Sequence, residues 1–135
     1  MKTLISLITL FAFYSCKCQN VNLKTTEKGV EVGTKVNDKK QGYWCFYNKS
    51  DKLFKLCFYN DDIIDGKCIK FYSDGKIETI INFYKGRING EVEFYSTKGV
   101  LLATYIYSND IIKEIKYYVI DNESPPRNHD FIPTY

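Results

Sequence analysis

The chain has 135 residues, enough for one domain and too few for two comfortable ones. Hydrophobic residues make up 44% and aromatics 16%, which excludes a disordered chain, and 12 Tyr with 9 Phe bias it toward strands. The formal net charge of +3 comes from 19 basic and 16 acidic residues. Arg occurs at only two positions, so the bidentate phosphate and base recognition of nucleic-acid binders is not expected, and the lysines read as a solvated surface.

Residues 1–15 read as an export signal rather than as part of the fold. Lys2 supplies the positive start, and Leu4 to Tyr14 form an apolar run broken only by Ser6 and Thr9. At 1.5 Å per residue this run spans about 16 Å, too short for a bilayer core of about 30 Å. It leads into Phe13-Tyr14-Ser15-Cys16. A small residue before a Cys resembles the lipobox of bacterial lipoproteins, with Cys16 as the acylated first residue of the mature chain. Phe13 and Tyr14 depart from the usual Leu and small residue of that motif. The alternative is ordinary cleavage near Cys18-Gln19, which leaves a soluble secreted or periplasmic protein. Cleavage before Cys16 removes one charge, Lys2, so the mature chain stays close to neutral. Membrane residence then depends on acyl chains and not on electrostatics. The expected location is the cell envelope, as an outer-membrane lipoprotein facing the periplasm.

Residues 16–28 are polar and read as a tether from the lipid anchor. Gly29 to Val36 alternates enough for a first, weak strand. From Gly42 the chain repeats, with Gly42, Gly66 and Gly90 at steps of 24. Seven segments end in aromatic or near-aromatic pairs: Phe46-Tyr47, Phe58-Tyr59, Phe71-Tyr72, Phe83-Tyr84, Phe94-Tyr95, Ile106-Tyr107 and Tyr117-Tyr118. Turn residues separate them, including Ser73-Asp74-Gly75, Lys85-Gly86 and Thr97-Lys98-Gly99. Strands of this spacing joined by tight turns predict an all-β antiparallel meander of tandem hairpins over 29–120, forming a single extended twisted sheet. No stretch after the signal has a helical period. Residues 121–135 hold all three prolines and the only His, and read as an irregular tail.

Three-residue loops at residues 49–51, 73–75 and 97–99 set a register for three hairpins. With Gly75 in the left-handed position, Tyr72 opposes Lys76 and Phe71 opposes Ile77. Regular alternation from there collects Ile69, Phe71, Ile77, Thr79, Ile81 and Phe83 on one face. The same loop length gathers Trp44, Phe46, Phe54, Leu56 and Phe58, and then Val92, Phe94, Leu102, Thr104 and Ile106. The opposite face would carry Tyr47, Tyr59, Tyr72, Tyr84, Tyr95 and Tyr107 among Lys and Glu. A slip of one residue would undo this sorting.

The run from Gly66 through Phe71-Tyr72, Asp74-Gly75-Lys76, Tyr84 and Gly86 to Gly90 resembles the MORN-variant repeat of bacteria. The resemblance covers about residues 42–118. It is looser at the ends, where Ser50 stands for a turn Gly and Lys113 for a leading Gly. It implies an extended meander of hairpins, with Gly42, Gly66, Gly75, Gly86, Gly90 and Gly99 as turn and repeat positions. Members occur among exported lipoproteins, and some carry an antitoxin or immunity label. A shared fold does not carry that function across.

The residues show no catalytic constellation. His129 is alone in a Pro-flanked tail with no nucleophile beside it. Asp61, Asp62 and Asp65 lack a Ca²⁺-loop pattern and read as turn chemistry. Glu91 and Glu93, at i and i+2, read as a solvated strand face. Zinc spacing and phosphate loops are absent, so no metal or cofactor is expected. Cys45, Cys57 and Cys68 fall on one face in the register above, with Cys45 and Cys57 diagonal. Diagonal neighbours lie at about 7–8 Å, too far for a good disulfide, so these thiols read as small apolar filler. The Tyr face has two readings, a surface for a protein or polysaccharide partner, or simply the second side of a one-layer sheet. The expectation is a non-enzymatic binding or scaffold module, with an immunity or antitoxin protein as the alternative.

Overall fold

A computed structural model of the chain describes residues 21–26 and 29–118. These residues form nine strands and no helix. They are β1 (Val21–Thr26), β2 (Gly29–Val36), β3 (Lys39–Asn48), β4 (Leu53–Asn60), β5 (Ile63–Phe71), β6 (Ile77–Tyr84), β7 (Arg87–Tyr95), β8 (Leu101–Ser108) and β9 (Ile111–Tyr117). All pair antiparallel in chain order, in one open sheet. The expected hairpin meander is therefore the fold. Each of the seven aromatic pairs lies within a residue of a strand end, β3 to β9. β1 is an addition: it lies within the stretch read as tether and pairs in register with β2.

The backbone repeats every 24 residues. At one end of the sheet, two-residue turns occupy Asn37-Asp38, Asp61-Asp62, Lys85-Gly86 and Asn109-Asp110, and every one of these residues has positive φ. That is the twist-matched geometry that closes tight hairpins, and Asn, Asp and Gly adopt it at least cost. Successive turns also bond to one another. Asp62 N donates to Lys40 O at 3.0 Å, Gly86 N to Ile64 O at 2.9 Å and Asp110 N to Ile88 O at 2.9 Å. At the other end are the three-residue loops, at residues 49–51, 73–75 and 97–99. Each closes as expected, with Asn48, Tyr72 and Ser96 donating to Lys52, Lys76 and Val100.

The face sorting fails just beyond those loops. Tyr47 pairs with Leu53, but Phe46 pairs with Lys55, so Phe54 is an extra residue. Glu78 is the extra residue between Phe71–Ile77 and Lys70–Thr79. Leu102 is extra between Tyr95–Leu101 and Phe94–Ala103. One inserted residue reverses the inward and outward sense of everything after it. Leu56 and Phe58 therefore leave the face of Trp44 and Phe46, Ile69 and Phe71 leave that of Ile81 and Phe83, and Thr104 and Ile106 leave that of Val92 and Phe94. The Gly42, Gly66 and Gly90 irregularities skip two residues, as between Cys57–Cys68 and Tyr59–Ile64, so they bend the ladder without changing faces.

One row across the sheet defines the buried face: Trp44, Cys57, Cys68, Ile81, Val92, Tyr105 and Ile115 are successive cross-strand partners. All but Ile115 are buried, and Ile115 packs against them. The described residues supply no second layer, so these side chains cover one another. Phe94 meets Tyr105 edge-on at 4.8 Å, and Tyr105 meets Tyr117 at 6.3 Å.

Candidate binding faces of the sheet

Once the register is corrected, the six candidate tyrosines no longer share a surface. Tyr59 is buried on the apolar face with its ring 6.4 Å from Phe46. Burial first, then the charges of Glu31 and Asp62, push its hydroxyl up to about 12. Tyr107 packs against the same core, and burial raises its pKa. Tyr47 and Tyr95 stay on the opposite face and are half-buried. Tyr95 donates to Glu93 Oε2 at 2.8 Å, and desolvation followed by that bond holds its pKa near 12. Tyr72 serves the fold: its hydroxyl donates to the Tyr95 carbonyl at 2.6 Å and ties one loop to the next. Tyr84 is 53% exposed, with the Lys85 ammonium 5.2 Å from its ring centre.

The opposite face is built on a second row. Leu23, Val32, Cys45, Leu56, Ile69, Ile80, Glu93, Thr104 and Lys116 are successive cross-strand partners. The first six are apolar and the last three polar. From Val32 to Ile80 they are half-buried, without the full coverage of the other face. Beside them, Tyr43 is 64% exposed and meets Phe58 edge-on at 5.1 Å. The sequence reading missed this patch because it assigned Leu56, Phe58 and Ile69 to the core. The signal was present in strands that are apolar at both parities, such as Leu53 to Tyr59.

Two irregularities correct the cysteines: the one-residue bulges turn Cys57 and Cys68 to the buried face, and the two-residue skip at Gly66 sets them opposite one another. Cys57 and Cys68 are direct partners on β4 and β5, with Cα atoms 4.0 Å apart, and form a disulfide on the buried face. Cys45 is a free, half-buried thiol on the other face. The filler reading therefore fails for Cys57 and Cys68. The aspartates do serve turns. Asp62 Oδ1 accepts from Lys40 N at 2.7 Å, and Asp65 Oδ1 accepts from Lys85 N at 3.2 Å. Among the described residues, no three His, Cys, Asp or Glu side chains cluster as metal ligands. Cys16, Cys18 and His129 lie outside the described residues.

No family model matches the chain, and no curated protein matches it.

Proposed function

We propose that this protein is a non-enzymatic binding module of the cell envelope, built from MORN-variant repeats and held to the membrane by acyl chains on Cys16. Its partner, a protein or a polysaccharide, docks on the sheet face that carries Tyr43, Phe58, Leu56, Ile69 and Ile80. The observation that supports this reading is the apolar row from Val32 to Ile80, half-exposed on a face that no other described element covers. Aromatic rings such as Tyr43, rigid and with a polar tip, suit either class of partner.

Affinity capture from native envelope tests the docking face. Tyr43→Ser with Ile69→Lys should lose the captured partner while the thermal midpoint stays within a few degrees of the unaltered chain. Retention of every captured species by the double variant sinks the assignment. Labelled palmitate tests the anchor separately: Cys16→Ser should abolish incorporation and membrane partitioning, and unchanged incorporation refutes the lipoprotein reading.

A further inference from the structure

The first repeat departs from the others just beyond its tight turn, on the buried face. Two residues beyond each tight turn, the later repeats place Ile64, Ile88 and Ile112, all packed in or against the core. The first repeat places Lys40 there. Its ammonium lies 4.5 Å from the ring centre of Trp44, 5.0 Å from Phe46 and 5.1 Å from Tyr59. The Glu31 carboxylate meets the same ammonium at 2.7 Å. All three rings are buried, while the Lys40 and Glu31 side chains remain 21% and 24% exposed. The opening of this box is therefore the place where Lys40 sits.

Trp44, the largest wall of the box, is fixed by its own contacts. Trp44 Nε1 donates to Thr34 O at 3.1 Å. Its ring lies flat over Gly33, where any Cβ would run into the indole. The Lys40 backbone is pinned on both sides to Asp62, at 2.7 Å and 3.0 Å, and its side chain is held at its tip by the Glu31 carboxylate. Space filling does not account for the lysine, since Ile fills the same place three times. A partly buried ion pair is a poor stabiliser, because desolvation offsets its attraction, and an apolar replacement is commonly neutral or better. Three π faces and a carboxylate converging on one point form the recognition chemistry of an alkylammonium cation. A preorganised cavity of that kind binds without first ordering its walls.

We infer that Glu31, Trp44, Phe46 and Tyr59 form a binding site for an alkylammonium group, which Lys40 occupies as an internal stand-in until a ligand displaces it. The ligand chemistry is either a quaternary amine or the lysine side chain of a partner. The site is on the face opposite the docking surface proposed above and does not depend on it.

Trp44 is the single tryptophan of the chain, so its emission reports on the box directly. The experiment titrates the full chain and its Lys40→Ala variant with tetramethylammonium chloride and, separately, with Nα-acetyl-lysine methylamide, against NaCl at matched ionic strength. Lys40→Ala should show a saturable change in Trp44 emission at a ligand concentration at least tenfold below that needed by the unaltered chain. Adding Glu31→Gln should weaken it at least fivefold. The probe that binds more tightly identifies the source of the cation. A folded Lys40→Ala that responds to neither probe beyond the salt control overturns the site, as does indifference to Glu31→Gln. If Lys40→Ala does not fold, Lys40→Gln, which keeps a polar stem without charge, is read in the same way. In the unaltered chain, saturating tetramethylammonium should move the ring-shifted Lys40 side-chain protons toward their solvent-exposed positions, and unmoved resonances count against displacement.

Discussion

The hairpins of β3–β4 and β7–β8 are built on one backbone plan and lined differently. Both begin after a tight turn, carry a buried aromatic at Phe46 or Phe94, close on a three-residue loop and return through a one-residue bulge. In β7–β8 the lining is apolar, with Ile88 and Val92 where β3 has Lys40 and Trp44. In β3–β4 three rings share the space with the Lys40 ammonium, which pairs with Glu31 of β2. The repeat's backbone is therefore indifferent to what the buried face holds, because turn bonds and ladder bonds specify it without those side chains. The lining is free to become a dry core in one repeat and a polar box in another.

Four perturbations would break or sharpen that contrast, beginning with the largest. Phe94→Ala empties a fully buried position in the apolar hairpin and should cost about 3–5 kcal/mol. Denaturant unfolding measures it, and an equal or smaller loss there than for Phe46→Ala would mean the two linings do not differ in tightness. Opening the Cys57–Cys68 disulfide, by a Cys57→Ser, Cys68→Ser pair, should cost about 3 kcal/mol in the loop-closure view. Since both cysteines are buried, the folded chain should resist mild reductant, which thiol counting checks.

Alkali should act next. Tyr59, Tyr95 and Tyr105 keep their protons up to about pH 12, whereas unfolded tyrosines lose theirs near 10. The folded state therefore binds protons more tightly, and stability, full below pH 10, should fall as pH rises from about 10 through 12. Phenolate absorbance should show Tyr59→Phe removing one late-titrating group. A Tyr59 that titrates with the exposed tyrosines would contradict its packing beside Glu31. The smallest effect is in the loops. Asp51 has φ of 55° at the place where the later loops have Gly75 and Gly99. Asp51→Gly should stabilise the first hairpin by about 0.5–1 kcal/mol, and a destabilised variant would show that the Asp side chain contributes more than its backbone strain costs.

Much of the fold could be read from the residues because turn chemistry is local. Asn, Asp and Gly at the tight turns carry the positive φ that such turns require, and strand lengths follow from the spacing between them. Tyr84, exposed in the structure, was visible as a member of the tyrosine face. Tyr47 and Tyr95 also stay on that face, whereas Tyr59 and Tyr107 turn inward.

The sequence by itself therefore determined the all-β class, the strand order, the position of every hairpin from Gly42 onward and the 24-residue period. Tertiary structure alone decided which side of each strand is buried. Phe54, Glu78 and Leu102 occupy bulges without any Gly or Pro to mark them, and in a structure of period two a single unmarked residue exchanges the faces. From that exchange follow the half-exposed row from Val32 to Ile80 and the enclosure of Lys40 by three rings that no local pattern brings together, while the skip at Gly66 sets Cys57 opposite Cys68 for the disulfide.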